Sequence, residues 1–549
     1  MPEDRAWIKS APFFAAIFRR QNIPVALNTH TLTPFSHLMK NKLSPLILAT
    51  CLLQPVWVSG QNIFLNNVGD GNWHNHSNWT MGIPTSSHQV RVSNNRTADI
   101  SGANAVSGTA LIGYTAGQTG TVNVLGVKTW TINGSLGVGE FGAGILNISG
   151  GGNVITNDVG VIGYDTGSTG QATVTGANSL WQNSSLYVGY QGSGTLTVEA
   201  GGTVRNINTH LAYSGPNSQG TLYLNGTSGS RAVLETGYLI EGSGTLGGTI
   251  NFNGGILRAT GNQPNFIRDF EAETGDVEIL SGGAFIDTEH NAVGYNVGIS
   301  TVLQGEGGLT KQGSGTLTLS GASTYEGSTT VEKGTLALAA AGSIASSEEI
   351  RIQAGAELDV TAKEGSGGWT LAPAQTLSGG GTVSGLVVMG SSSILSPGNS
   401  VGQLSGTSAI WEAGSIYDWE IQDLLGDEGM GWDHYLLTGT LTLEGGFTLK
   451  MTTLGAGGEL AGWNPAASYS WTILTASSIT GFDEDLYSID DSLFANAHPG
   501  VFSLAQEDNS LVLHYDGVSA IPEPGSAVTL ALLLTSSIGL HRQRRKGKR

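Results

Sequence analysis

Asp158 and Asp165 are two carboxylates in one repeat unit, close enough in sequence to suggest a reaction. Carboxyl groups held about 5 to 9.5 Å apart can cleave a glycosidic bond, one as acid and the other as nucleophile or base. Both residues fall where the chain turns, however, and a solvated Asp is the ordinary occupant of a turn. Polysaccharide elimination would need clustered Asp for Ca²⁺ and an Arg or Lys base on the same face. The acidic clusters are Asp423 with Asp427 and Glu428, and Asp483-Glu484-Asp485 with Asp490-Asp491, and no base stands beside either in sequence. Their oxygens could hold Ca²⁺. They lack the spacing of an EF-hand loop or of a Gly-rich calcium nonapeptide, which favours a solvated acidic surface. His74 and His76 could face one way on a strand and hold a metal, but no third ligand is near, which favours solvated loop histidines. A Gly-x-Ser-x-Gly elbow is absent, and glycine runs such as Gly137-Val138-Gly139 precede no helix, so nucleotide binding has no support. No catalytic residue, resident metal or cofactor is expected, with Ca²⁺ the one candidate ion.

The elements that would position any site come from a phrase said five times. It reads Ile112-Gly113-Tyr114 then Gly120-Thr121-Val122-Asn123-Val124, and Val138-Gly139-Glu140 then Gly144-Ile145-Leu146-Asn147-Ile148. It returns at Ile162-Gly163-Tyr164, at Val188-Gly189-Tyr190 and, more loosely, at Leu211-Ala212-Tyr213. A period of this length marks stacked units. Each reads as two short strands about a glycine turn, and its apolar side is buried only against its neighbours. The expected fold is all-β, a right-handed parallel β-helix (a β-solenoid). A β-propeller is the weaker rival, since pairs of units sum to the length of a blade. Tyr114, Tyr164, Tyr190 and Tyr213 recur at one position, as a ladder for glycan stacking or as a packing stack at a turn.

Glycine accounts for 83 of the 549 residues without a Gly-X-Y period, which excludes collagen. The formal charge is -19. Twelve of the 24 basic residues lie in residues 1–42 and in the last eight, so residues 61–520 carry 12 Lys/Arg against 40 Asp/Glu, a net -28. Nucleic acid is therefore not an expected partner, because the body has no basic surface to release counterions. The one cysteine, Cys51, lies in an apolar run expected to be removed, which excludes a disulfide scaffold and Cys-based zinc sites.

Residues 1–38 share nothing with the repeats and read as an over-long N-terminal extension. From Met39, Lys40 and Lys42 precede the apolar run Leu43 to Val58 and the small residues Ser59 and Gly60, the anatomy of a signal peptide over 39–60. Residues 61–105, with Trp73 and Trp79 among turn residues, read as an N-terminal cap. The β-helix is assigned to 106–404 and a terminal β segment to 405–518, as wider final coils or a small sandwich.

Within the helix, Leu309-Thr310-Lys311-Gln312-Gly313-Ser314-Gly315-Thr316-Leu317-Thr318-Leu319, then Thr330-Val331 and Gly334-Thr335-Leu336-Ala337-Leu338, resembles the autotransporter-associated β-strand repeat. That resemblance, over 309–338, implies a β-helical surface or passenger segment. A full type V autotransporter is not expected, since no run of amphipathic barrel strands precedes the C-terminus.

Residues 519–549 join Pro522-Glu523-Pro524 to an apolar run over 527–540 and a basic end, Arg542, Arg544, Arg545, Lys546, Lys548 and Arg549. The run spans roughly 21 Å as a helix, against about 30 Å of hydrocarbon, so it suits transient inner-membrane anchoring with the basic end cytoplasmic. Together the three parts resemble a PEP-CTERM sorting signal. That resemblance implies an exosortase-like processing enzyme as partner and delivery to the surface or matrix of a Gram-negative bacterium that makes exopolysaccharide. The sequence thus points to an exported, non-enzymatic structural or adhesive β-helix, with surface glycans as candidate partners. A lyase or glycosidase on the same scaffold is the alternative.

Overall fold

The computed structural model describes residues 60–270 and 276–518. The extension, nearly all of the proposed leader and the proposed sorting signal lie outside the described residues. Among the described residues there is no α-helix, only two 3-10 turns, His76–Asn78 and Thr361–Ser366. The rest is strand and turn, gathered chiefly into three sheets of 22, 16 and 9 strands.

One coil visits all three sheets. Thr119–Leu125 belongs to the 9-stranded sheet, Thr129–Ile132 to the 16-stranded sheet and Leu136–Val138 to the 22-stranded sheet. The next coil repeats the circuit as Ala143–Ser149, Asn153–Thr156 and Gly160–Ile162, each strand parallel to its predecessor. Register is strict: Val122 lies beside Leu146, Trp130 beside Val154 and Leu136 beside Gly160. The structure is therefore a parallel solenoid, and its continuous sheets exclude the four-stranded blades of a propeller.

The expectation of two strands per unit is corrected to three. The additional strand has only three or four residues in each repeat, as in Leu180–Gln182 and Thr203–Arg205. Its inward residue changes from Trp130 to Val154, Trp181 and Val204, so no phrase recurs to reveal it.

Inward columns make one core along the axis. Val124, Ile148, Val174, Val198, Leu224 and Phe252 follow one another in the 9-stranded sheet, all fully buried. Each contributes about 1.5–3 kcal/mol relative to exposure. The repeated glycines are demanded by the close stacking. Gly139 has φ +78°, and a Cβ on it would lie 2.3 Å from the Thr169 carbonyl oxygen. Ala212 occupies the fifth such position with φ +47°. Its strand pairs irregularly with the next, the register shifting between Leu211 and Ser214.

The 9-stranded sheet ends at Val277–Ile279, and later coils use two sheets. Leu309 then pairs with Thr329 and Thr316 with Thr335, a shorter step than in the first coils. At the N-terminal end, Trp73 packs edge-on against Trp79 and Trp130, with centroids 4.7 and 5.0 Å away. At the other end, wider parallel coils reach Tyr469–Thr475. Ser510–Asp516 then pairs antiparallel with that strand and with Val501–Glu507. This ribbon covers a strand edge that would otherwise be open to pairing with another chain.

Candidate functional site

In-register stacking places the residue after each special turn in one column: Tyr114, Glu140, Tyr164, Tyr190 and Tyr213. Three of the four predicted tyrosines meet. Tyr164 and Tyr190 stack at 5.3 Å and 18°, and Tyr190 and Tyr213 at 5.0 Å and 15°. Their faces therefore cover one another, and Tyr190 is buried. Tyr114 is set apart by Glu140; the Arg91 guanidinium lies 3.7 Å over its ring and Phe141 meets it edge-on.

Sequence reasoning missed a second row beside this one. Tyr187 stacks on His210 at 4.8 Å, stands edge-on to Tyr190 and Tyr213, and His210 meets Tyr238 edge-on. The signal was available, since Tyr187 and His210 each precede the special turn residue by two positions and so face outward from the strand. Burial, with Arg268 nearby, pushes the His210 imidazole down to about 4, so it is neutral near pH 7. Burial pushes the Tyr187 and Tyr190 phenols up to about 12, with neighbouring tyrosines adding to it.

Asp158 and Asp165 take different partners. Asp158 accepts from Ser135 Oγ at 2.8 Å, whereas Asp165 sits near Glu140 of the preceding coil and donates its backbone N–H to the Glu140 carbonyl. The coupled carboxylates are therefore Glu140 and Asp165. Burial first, and then Asp165, push Glu140 up to about 7 against the opposing charge of Arg91. The acidic clusters are turn-formers: Asp423, Asp483 and Asp490 each accept the backbone N–H two residues on. Among the described residues no three His, Cys, Asp or Glu converge as metal ligands. His76 opens a 3-10 turn, so strand spacing does not align it with His74, whose Nε2 lies 3.1 Å from the Asn104 carbonyl.

On the 16-stranded sheet, register brings arginines beside carboxylates that lie far apart in the sequence. Arg205, Glu235, Arg258, Asp287 and Gln312 are register partners in successive coils, one outward side chain per coil. Arg205 Nε donates to Glu235 at 2.5 Å, Arg258 Nη1 to Glu235 at 2.9 Å and Arg258 Nε to Asp287 at 2.8 Å. Alternating charge is what stacked coils require, since like charges directly opposite repel. Next to the column rises a hairpin, Glu289–His290 paired with Val293–Gly294. Glu289 is held by Lys333 Nζ at 2.7 Å and by the Ser314 N–H at 2.9 Å. Column and hairpin enclose a cleft of about 460 Å³. Below it, Lys311 points inward and donates to the Gln312, Gly313 and Lys333 carbonyls at 3.0, 2.7 and 2.8 Å. Burial pushes its amine down to about 8.

Ser470 Oγ lies 2.8 Å from His514 Nδ1, and His514 Nε2 lies 3.1 Å from Glu507. Ser470 and His514 are directly opposed on the antiparallel ribbon, and the Glu507 side chain is 60% exposed. A carboxylate so hydrated orients an imidazole weakly.

Residues 309–338 match the family described as Passenger-associated-transport-repeat. The chain is 40% identical over 125 residues to an "Extracellular serine protease" of Serratia marcescens, a match covering 23% of this chain and 10% of that protein. It is 29% identical over 213 residues to "Adhesin BmaC autotransporter" of Brucella suis biovar 1 (strain 1330), covering 38% of this chain and 6% of the relative. The chain thus spans a tenth or less of the curated relatives it matches. It is a parallel β-solenoid that carries a passenger-associated transport repeat.

Proposed function

We propose that this chain is an exported, non-enzymatic passenger-type β-helix, right-handed, that serves as a structural or adhesive component of the outer envelope or extracellular matrix of a Gram-negative bacterium. The observation that carries the proposal is the passenger-associated repeat at 309–338, set in register within the parallel coils. The right hand follows from the strong preference of parallel crossovers for it. Similarity to an adhesin supports the surface role. Export begins with the leader at 39–60. It ends with an exosortase-like enzyme acting at Pro522-Glu523-Pro524 after transient anchoring through 527–540. Surface glycans are the candidate ligands of the tyrosine row, which offers phenol edges and hydroxyls, since the stacked rings cover each other's faces.

Peptide mapping and intact mass of the native protein, after separating cytoplasm, envelope and matrix, test this reading. The expected product begins near Gln61, lacks the basic tail after Pro524 and sits in the envelope or matrix. A full-length cytoplasmic product overturns it. The rival reading, a polysaccharide lyase or glycosidase, draws on Arg258 beside Glu235 and Asp287. Glycan release by the purified protein, abolished in Asp287→Asn, would establish that rival.

A further inference from the structure

The cleft on the 16-stranded sheet lies apart from the tyrosine row, whose members belong to the 22-stranded sheet and the turns that follow it. Its lining is polar almost throughout, Ala292 being its one aliphatic side chain. A lipid or an apolar peptide side chain would find nothing to bury against there. The floor instead alternates guanidinium and carboxylate planes at the strand spacing of about 4.8 Å, continuing from Arg205 to Gln312.

The donor count decides what such a floor binds. Among the described residues, Arg205 donates to Glu235 through Nε and its side chain is 46% exposed, with no hydrogen bond from its terminal nitrogens. Arg258 uses Nε and Nη1 and keeps Nη2. Lys333 gives one proton to Glu289 and has two to spare. The carboxylates have each accepted two bonds already and keep lone pairs for hydroxyl donors. Three cations and three carboxylates make the cleft neutral, on a body whose net charge is -28. An anion repelled by most of this surface meets no net repulsion here and finds unused donors.

We propose that this cleft binds the carboxylate of an acidic saccharide, with Arg205 and Arg258, which flank Glu235, donating to the carboxylate, and with Lys333, Asp287 and Glu289 meeting sugar hydroxyls farther along the column. Planar groups that both donate and accept suit a polyhydroxylated ring. The hairpin at 289–294 supplies the wall, an insertion on one face of a solenoid of the kind that commonly marks a binding face.

Calorimetric titration of the full chain with trigalacturonate and trimannuronate tests the proposal. The carboxyl-reduced trisaccharides and inorganic phosphate, at one ionic strength, complete the set. At least one acidic trisaccharide should bind, and its neutral counterpart and phosphate should bind at least about tenfold more weakly. Arg205→Gln should weaken the acidic ligand about tenfold while the protein stays folded, its melting temperature falling only modestly because buried Glu235 keeps Arg258. The double variant Glu235→Gln with Arg258→Gln removes the Arg258 donors without leaving a buried charge unpaired and should likewise bind more weakly than the native protein. The proposal is overturned by failure of both acidic ligands to bind, by equal affinity for neutral sugar or phosphate, or by an Arg205→Gln protein that binds like the native one.

Discussion

Glu140→Gln offers a quantitative test of how the stacked coils treat charge. Glu140 occupies the tyrosine column with 8% of its surface exposed, between Tyr114 and Tyr164. Its carboxyl is raised to about 7 from an ordinary 4.5, by burial and then by Asp165. Between those two values the folded chain keeps a proton that the unfolded chain has lost, so stability falls as pH rises through the window. A displacement of about 2.5 units corresponds to about 3 kcal/mol, complete above pH 7. Asp433, pushed up to about 9 by burial despite two backbone donors, acts in the same direction. The informative quantity is therefore the difference between wild type and variant. Urea denaturation at pH 5 and pH 8 should show Glu140→Gln gaining about 2.5 kcal/mol on wild type between the two. Equal pH dependence in both proteins refutes the reasoning, because the carboxylate would then ionise in the column as freely as in water.

Gly139→Ala should cost at least about 2 kcal/mol in the same assay, since its Cβ would meet the rigid Thr169 carbonyl at 2.3 Å and its φ is +78°. Ala212→Gly should stabilise by about 1 kcal/mol, by relieving a left-handed φ of +47° at an alanine; a lower midpoint would show that the bulge already removes the strain. Lys311→Met tests the inward amine. With the folded amine at about 8 and the free one near 10.5, the unfolded chain holds more protons in between. Wild-type stability should thus rise by about 3 kcal/mol across that window, and the variant should lack this gain. Leu196→Ala should cost about 2–5 kcal/mol by opening a void in a fully buried column, read as a fall in the urea midpoint.

What was legible in the sequence follows from which contacts repeat. Gly113, Gly139, Gly163 and Gly189 recur because a positive φ is needed at each turn, and Gly120, Gly144 and Gly170 because a neighbouring backbone leaves no room for Cβ. Those constraints act on every coil alike and write a period into the chain. The extra strand per coil obeys a weaker rule, an inward apolar residue of any size, which Trp130, Val154 and Trp181 all satisfy. It left no phrase to find. The cleft was hidden for a different reason. Arg205, Glu235, Arg258 and Asp287 are neighbours only through register, and the coils between them differ in length, so no fixed spacing announces the column.

Glu140 and Glu235 show how far register, and not residue type, sets the chemistry of this scaffold. Both are buried carboxylates, 8% and 4% exposed. Desolvation acts on each in the same direction, toward the neutral form. Glu140 has Asp165 in the next coil and only a more distant Arg91 to oppose it, and its carboxyl rises. Glu235 has Arg205 in one neighbouring coil and Arg258 in the other; their hydrogen bonds and charges outweigh its burial, and its carboxyl falls below the ordinary range. A one-residue slip in either strand would turn these side chains to the opposite face and abolish both environments. The backbone ladder that makes the solenoid stiff is thus also what keeps Glu235 ionised and paired, and what leaves the spare donors of Arg205 and Arg258 aimed into the cleft.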